Sequence, residues 1–356
     1  MKLANAVKMN KQTLICGLLS TGACLATLIL PSNPAMALPA VPVFAPLVTQ
    51  VAAVSAPMTN TSGTATTAVA GCPAGTKLVG GGLQVGKATP ATTTPVNGLK
   101  VNGTYPSDAG ATPITTFAVN PTFWAAAGGF GSQSEASDQV TSFAVCATVG
   151  PLGSPIGVAV RLVAVASING PTTPLTTAAV TATCPTGTEL VGGGASGTPA
   201  SSKSFKPIGS FPSNSNGTMV PDGTHHPQSW TAVGSAGGMA NPANVTTAFA
   251  VCSAPPLLPT TVVRVNAPGP QVGSTFVTVP ATCSAGSQVL SGGVNVDNSS
   301  GPLQEGVHLR GSYPSDIAGN PVSNGKTNAT TWTGIVQAGG QPTPNTAAHV
   351  FAICAR

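Results

Sequence analysis

The sequence predicts an all-β protein in which three similar units follow one another after a signal peptide. Three observations support this prediction. The chain is rich in Gly (43) and Pro (34), its apolar runs are short and rich in Val and Thr, and one set of motifs occurs three times. Because these residue types are poor helix formers and no 3.6-residue periodicity continues beyond Leu30, a helical bundle is disfavoured.

Composition also narrows the class of protein. Charged residues make up 6% of the 356 residues, hydrophobic residues 42%, and the net charge is +5. Disordered chains combine low hydrophobicity with high net charge, which is not the composition found here. The 13 Lys and Arg residues are few and scattered, so the sequence also disfavours electrostatic binding to nucleic acid.

The N-terminus has the pattern of a signal peptide over residues 1–37. Three lysines precede an uncharged apolar stretch at 13–30, and Ala35-Met36-Ala37 offers small residues at a cleavage site. We therefore expect cleavage after Ala37, export, and no stable membrane span in the mature chain. The alternative is a retained anchor, because eighteen apolar residues are just long enough to span a bilayer.

Beyond the signal, the motif set defines three units at 45–150, 156–254 and 259–356, which we call copies 1, 2 and 3. Each copy contains a Cys-Pro-x-Gly or Cys-Ser-x-Gly start, a glycine run, a Tyr/Phe-Pro-Ser turn, a tryptophan, and a closing Phe-Ala-x-Cys. The separation from turn aromatic to tryptophan is 19 residues in all three copies, and from tryptophan to closing cysteine 22. Proline-rich joints at 151–155 and 255–259 separate the copies and predict short, stiff linkers.

Each copy of about 100 residues is predicted to be an antiparallel β-sandwich or small barrel. Short Val- and Thr-rich runs bounded by Gly, Pro and Asn are typical of strands and turns. In the run 141–146, for example, Phe143 and Val145 alternate with Ala144 and Cys146, which places the two pairs on opposite faces.

The cysteines predict one disulfide in each copy. Six cysteines remain after residue 37, and six permit fifteen pairings. Since two occur at matching positions in every copy, one set of pairs is favoured: Cys72–Cys146, Cys184–Cys252 and Cys283–Cys354. An exported protein would form them in an oxidising compartment.

The recurrent aromatic residues have two interpretations. They are the turn aromatics and tryptophans of the three copies: Tyr105 and Trp124, Phe211 and Trp230, and Tyr313 and Trp332. Large apolar rings are core residues by default. The alternative is a surface platform on which sugar rings stack.

Other motifs that could indicate a chemical function are better explained by structural roles. The glycine runs predict a bulged strand or a close backbone approach rather than a phosphate cradle, because no lysine and helix start follow them. Asp108 and Asp316 lie in β-turns and are expected to cap them rather than bind a cation. Lys77 and Glu189 occupy one position of the copies with opposite charge, which predicts a tolerant, exposed site. We expect no catalytic, cofactor-binding or metal-binding residues.

Together the motifs resemble repeat modules of uncharacterised secreted bacterial proteins with the Cys-Pro-x-Gly and Gly-Gly-Gly pattern. The resemblance covers residues 70–356 and implies export, but it brings no activity. Copy 3 departs from the pattern at Ser284 and Ser291, where we expect only local turn geometry to change.

The expected function is that of a secreted or cell-surface structural or adhesive protein without enzymatic activity. Its partners would be itself, a cell wall or a polysaccharide. The first alternative is a carbohydrate-binding module that uses the aromatic platforms, and the second is a secreted hydrolase.

Overall fold

The computed structural model describes residues 48–58, 63–87, 99–130, 138–148, 160–199, 205–238, 240–254, 259–298, 306–340 and 344–356. These residues form β-strands and turns with no helix among them, which confirms the all-β prediction. Accordingly, nothing in these ranges is a helix that could cross a membrane. The predicted signal peptide at 1–37 and the joints at 151–155 and 255–258 lie outside the described residues.

Each copy contributes six strands. Those of copy 1 are β1 (Thr49–Pro57), β2 (Ala65–Gly71), β3 (Thr76–Lys87), β4 (Leu99–Ser107), β5 (Phe123–Phe130) and β6 (Asp138–Thr148). Those of copy 2 are β7 (Arg161–Asn169), β8 (Thr177–Thr183), β9 (Glu189–Thr198), β10 (Phe205–Ser213), β11 (Ser229–Ala236) and β12 (Val245–Ser253). Those of copy 3 are β13 (Thr260–Pro268), β14 (Phe276–Thr282), β15 (Gln288–Asn298), β16 (Val307–Ser315), β17 (Thr331–Ala338) and β18 (Thr346–Ala355).

The strands form three six-stranded antiparallel sheets, and every sheet combines two copies. The orders are β1-β6-β3-β16-β17-β14, β2-β5-β4-β9-β12-β7 and β13-β18-β15-β10-β11-β8. Each copy is thus two three-stranded halves that pack on one another, and each half continues into a different neighbouring copy. The sharing runs in a ring, from copy 1 to 2, from 2 to 3 and from 3 back to 1. The sheets do not close into barrels, so the small-barrel alternative is wrong.

The ring has an axis, lined by the two middle strands of each sheet. The strands β3, β9 and β15 contact one another, and so do β4, β10 and β16. Equivalent residues of the three copies therefore meet near one line, which makes the arrangement pseudo-threefold.

Loops from neighbouring copies cover one edge of every sheet. Backbone hydrogen bonds join 325–328 of copy 3 to β1, 117–120 of copy 1 to β7, and 223–226 of copy 2 to β13. An uncovered strand edge is a template for pairing with another chain. The turns that follow the Tyr/Phe-Pro-Ser motif therefore protect edge strands as well as reversing the chain.

The three predicted disulfides are all present. In each, a cysteine after the second strand of a copy reaches a cysteine in its last strand, with Cα atoms 5.7 Å apart. Since these two strands belong to different sheets, each disulfide joins a different pair of sheets. The bonds also indicate an oxidising compartment.

The glycine runs lie where the copies meet. A register shift at this point gives β3, β9 and β15 a bulge. In copy 1, a Cβ added to Gly81 would collide with the indole of Trp124, and one added to Gly82 would collide with the backbone of β16. Gly80 and Gly192 instead face Ser291 of copy 3, near the axis. The expectation that Ser291 would alter only a turn is therefore wrong, because it lies within β15 at the centre of the molecule.

Candidate functional site

The three tryptophans are fully buried, each at 0% exposure. Their indole Nε1–H groups donate to a hydroxyl at the same position of the preceding hairpin strand. The acceptors are Thr104 Oγ1 for Trp124 (2.7 Å), Ser210 Oγ for Trp230 (3.0 Å) and Ser312 Oγ for Trp332 (2.9 Å). A buried indole with its only donor satisfied is a core residue.

The turn aromatics are buried as well, and each stacks on a phenylalanine of the next copy. Tyr105 lies 5.7 Å from Phe249, Phe211 lies 5.9 Å from Phe351, and Tyr313 lies 5.7 Å from Phe143, measured between ring centroids. These phenylalanines belong to the closing Phe-Ala-x-Cys motifs. The two motifs therefore recur together because they form the aromatic contact between successive copies.

This burial corrects the sugar-platform interpretation of Tyr105, Trp124, Phe211, Trp230, Tyr313 and Trp332. Stacking on a sugar requires an open ring face, and none of the six side chains is more than 8% exposed. Their fixed spacing reflects the geometry of the core and of the contacts between copies.

The turn acids are occupied by their own turns. Asp108 Oδ1 accepts from the backbone N–H groups of Gly110 (2.9 Å) and Thr112 (2.8 Å), and Asp316 Oδ1 accepts from that of Asn320 (2.8 Å). The hydrogen bond from the Thr112 backbone lowers the pKa of Asp108, and the Asn320 side chain lowers that of Asp316. Within the described residues no three His, Cys, Asp or Glu side chains cluster as a metal site would require.

Glu189 corrects the expectation of an exposed site at its position. Its side chain is fully buried, where Oε1 contacts His226 Nδ1 and accepts a hydrogen bond from Thr260 Oγ1 at 3.0 Å. The equivalent Gln288 of copy 3 accepts from Thr49 in the same way, at 3.1 Å. In copies 2 and 3, the side chain at this position forms a hydrogen bond to the following copy, and the polar residues around it differ between the two.

One surface cluster belongs to copy 3 alone. In copies 1 and 2, one cross-strand pair between the first and the last strand consists of two hydroxyl side chains. The pairs are Ser55 with Thr141 at 2.8 Å and Ser167 with Thr247 at 2.9 Å. The equivalent cross-strand pair in copy 3 is Asn266 and His349.

Two further groups complete this cluster. His349 Nε2 lies 2.9 Å from Asp297 Oδ2, and Nδ1 lies 2.6 Å from Asn266 Oδ1. Arg264 Nη2 is 3.2 Å from the same Nδ1, and its guanidinium lies over the Phe351 ring at 5.5 Å. We call Arg264, Asn266, Asp297 and His349 the copy 3 cluster.

An open groove begins at this cluster. It is a shallow, widely open depression with a volume of about 480 Å³. Its lining residues are Asn266, Ala267, Pro268, Gln271, Asn345, Thr346 and Ala347. The amide of Gln271 is fixed, since Nε2 donates to the carbonyls of Gly269 (2.8 Å) and Thr346 (3.1 Å) while Oε1 accepts from the Asn345 N–H (2.8 Å). These hydrogen bonds hold 269–271 and 345–346 together at one side of the groove.

Sequence reasoning missed this site because it weighted what the copies share. The sequence does contain a signal for it, which is a difference between the copies. Two residues before the closing phenylalanine, copies 1 and 2 have Thr and copy 3 has His.

No protein-family model matches the chain, and no curated protein matches it.

Proposed function

We propose that the chain is a secreted, non-enzymatic surface protein that adheres to a polysaccharide, with the groove of copy 3 as the principal contact. The observation that carries this proposal is the exchange of a Ser–Thr pair for the copy 3 cluster beside the groove. An exchange confined to one of three equivalent positions is what a single binding site in a structural scaffold requires.

The groove has the chemistry for sugar hydroxyls. Amide side chains offer both donors and acceptors, and those of Asn266 and Asn345 line it, while the Gln271 amide is engaged by Gly269, Thr346 and Asn345 and holds the groove in shape. Ala267, Pro268 and Ala347 add small apolar surfaces for the C–H faces of a sugar ring. Its openness fits an extended polymer lying along the sheet better than an enclosed small molecule.

The rest of the molecule supports adhesion by holding this groove rigid. Three sheets, three disulfides and the aromatic stacks between copies fix the strands that bear it. A rigid site loses little conformational entropy when it binds. Export, which the disulfides favour, would place this surface outside the cell.

Co-sedimentation with insoluble cell-wall and plant polysaccharides tests the proposal, using the variants Asn266→Ala and Arg264→Gln. Ser167→Ala is the matched control, because Ser167 occupies the position of Asn266 in copy 2. We expect binding of the wild type and of the control to at least one polysaccharide, and a loss of about tenfold in the copy 3 variants, as expected when about 1.4 kcal/mol is removed.

Two results would overturn the proposal. Equal binding by all four proteins would remove the groove from the contact. Release of reducing sugar ends during the assay would contradict a non-enzymatic role.

A further inference from the structure

Each sheet has two edges, one of which is covered by a loop from a neighbouring copy. The other edges are formed by β2, β8 and β14, the second strands of the three copies. Along β8, no described residue forms a backbone hydrogen bond from the outer side. Such an edge is a template for a further strand, and the adhesion proposal does not use it.

Hydrogen bonds at both ends of β8 show which of its backbone groups point outward. The Ala236 N–H donates to the Thr176 carbonyl at 3.0 Å, and the Cys184 N–H donates to the Gln228 carbonyl at 2.9 Å. The backbone groups of 176 and 184 thus point toward β11, and the register between them has no bulge. Because these groups alternate in direction along a strand, those of the odd-numbered residues from 177 to 183 point away from the sheet.

Copy 3 has a proline on its equivalent edge, whereas copy 2 does not. The fifth residue of β8 is Thr181, and the fifth residue of β14 is Pro280. Three residues later the Cys283 N–H donates inward to Thr330, so Pro280 lies at an outward position, where it offers no N–H. β8 contains neither a proline nor a charged side chain, and these are the residues that keep natural edge strands from pairing.

The sequence of β8 is nearly palindromic about Val180. Residues equally far from Val180 are identical in two of the three pairs. The pairs are Thr177 with Thr183, Ala178 with Ala182, and Ala179 with Thr181. A strand of this kind presents nearly the same side chains in both directions.

We propose that β8 is a contact between two molecules of this chain, which pair antiparallel about Val180 across a twofold axis. A twofold contact joins the same surface of both molecules, so a palindromic strand meets itself with like residues opposite each other. In this register Thr177 exchanges backbone hydrogen bonds with Thr183 of the second molecule, and Ala179 with Thr181. All four have backbone groups that point outward, and no charge faces a like charge.

Hydroxyl side chains continue across the contact. Within one molecule, Thr181 Oγ1 lies 2.8 Å from Thr231 Oγ1, and Thr183 Oγ1 lies 3.0 Å from Ser229 Oγ. Thr177 and Thr183 are exposed on the same face. Threonine pairs across neighbouring strands stabilise a sheet, which favours this register.

The pairing gives a closed dimer, because each molecule has one β8 edge. Seven residues from each molecule form a small contact compared with a standard interface of about 800 Å² per partner. We therefore expect a dimer that dissociates on dilution. Sedimentation velocity of the full chain, over a concentration series that reaches about 1 mM, measures the dissociation constant.

A cysteine in β8 tests the register. In the proposed pair Val180 lies opposite itself without backbone hydrogen bonds, which places the two Cα atoms about 4.5 Å apart, within the span of a disulfide. With oxidised glutathione, Val180→Cys should therefore form a covalent dimer. Ala178→Cys is the matched control, because its partner in this register is Ala182, and it should stay uncrosslinked.

A proline in β8 tests the edge. Thr181→Pro gives copy 2 the residue that copy 3 has at the same place, and it removes one outward N–H. It should raise the dissociation constant of the dimer at least tenfold. Val69→Pro makes the same change at the fifth residue of β2 and should leave the dimer intact.

Three results would overturn the proposal. The full chain could remain monomeric throughout the series. The dimer could be unaffected by Thr181→Pro, or weakened as much by Val69→Pro. Equal cross-linking of the Val180→Cys and Ala178→Cys proteins would show that no fixed register brings the strands together.

Discussion

At the residue scale, the three positions of each glycine run have different neighbours. The first lies near the axis, the second makes room for the tryptophan of its own copy, and the third makes room for the backbone of the preceding copy in the ring. Copy 3 has Ser291 in the first place, and its Cβ occupies the space that Gly80 and Gly192 leave open. The side chain of Ser291 in copy 3 therefore packs against copies 1 and 2 at the axis.

Ser291 gives a prediction about packing at this point. Its hydroxyl is buried and has no hydrogen-bonding partner among the described residues, so Ser291→Ala should be neutral or stabilising. Ser291→Val adds volume against Gly80 and Gly192 and should cost about 1–3 kcal/mol. Urea unfolding measures both free energies. A Ser291→Val protein as stable as the wild type would contradict close packing at the axis.

At the element scale, each copy contacts the strands of its neighbours in two ways. It packs against them, and it pairs with their edges. The middle strand of each half-sheet pairs within its copy, whereas one edge of every sheet pairs with a loop from a neighbour. The disulfides then connect the sheets in pairs, so that each sheet is tied to both others.

Loss of a single disulfide should destabilise the whole molecule. The cysteines are separated by 74, 68 and 71 residues, and closing loops of this length contributes about 4 kcal/mol in the chain-entropy model. We expect the double variant Cys184→Ala/Cys252→Ala to lose a large part of that amount in urea unfolding. The equivalent double variants of copies 1 and 3 serve as matched comparisons. A change below about 1 kcal/mol would show that the sheets are held together without the bond.

At the scale of the whole molecule, the three copies form one ring rather than three independent domains. Every sheet requires strands from two copies, and the aromatic stacks cross the same boundaries. If one copy is removed, two of the sheets each lose three of their strands, and the remaining halves lack the strands they pair with.

An excised copy is therefore not expected to be a stable monomer. We predict that residues 156–254, expressed alone under oxidising conditions, either unfold or associate into trimers that restore the ring. Size-exclusion chromatography with light scattering distinguishes these states, and the full chain at the same concentration is the control. A folded monomer with native-like thermal stability would contradict the dependence of each sheet on two copies.

Stability should fall as the pH is lowered, because two buried basic groups resist protonation. The pKa of Lys100 is lowered from 10.5 to about 7 in the folded protein, so between these values the unfolded chain binds more protons. Stability therefore rises with pH through this window and is lost as the pH falls toward 7. His308, lowered from 6.5 to about 3, adds a second loss between those values.

The slope approaches about 1.4 kcal/mol per pH unit for each proton involved. Urea midpoints from pH 3 to 10, in buffers without sulfate or phosphate, measure it. His308→Gln should remove the loss between pH 6.5 and 3, while Lys326→Gln should keep it. An unchanged profile in His308→Gln would assign the acid sensitivity to other groups.

Much of the fold could be predicted from the sequence, and most of the candidate site could not. The strand pattern, the repeated motifs and the matched cysteines predicted an all-β chain and its three disulfides, because these depend on local alternation and on spacing. The copy 3 cluster brings Arg264, Asp297 and His349 together from three strands, and no spacing in the chain encodes that neighbourhood. Glu189 was misjudged for the same reason, since its burial comes from Thr260 and His226 beyond its own strand.

The sequence by itself determined the class of secondary structure and the cysteine pairs. These follow from side-chain alternation, turn-forming residues and repetition, which act over short distances or by simple counting. Only the tertiary structure decided that the copies share their sheets, that the recurrent aromatics are buried, and that Lys100, Lys206 and His308 are buried too. The physical reason is that a strand edge pairs equally well with a strand of its own copy or of another. Only the packing of the strands in the folded molecule selects between them.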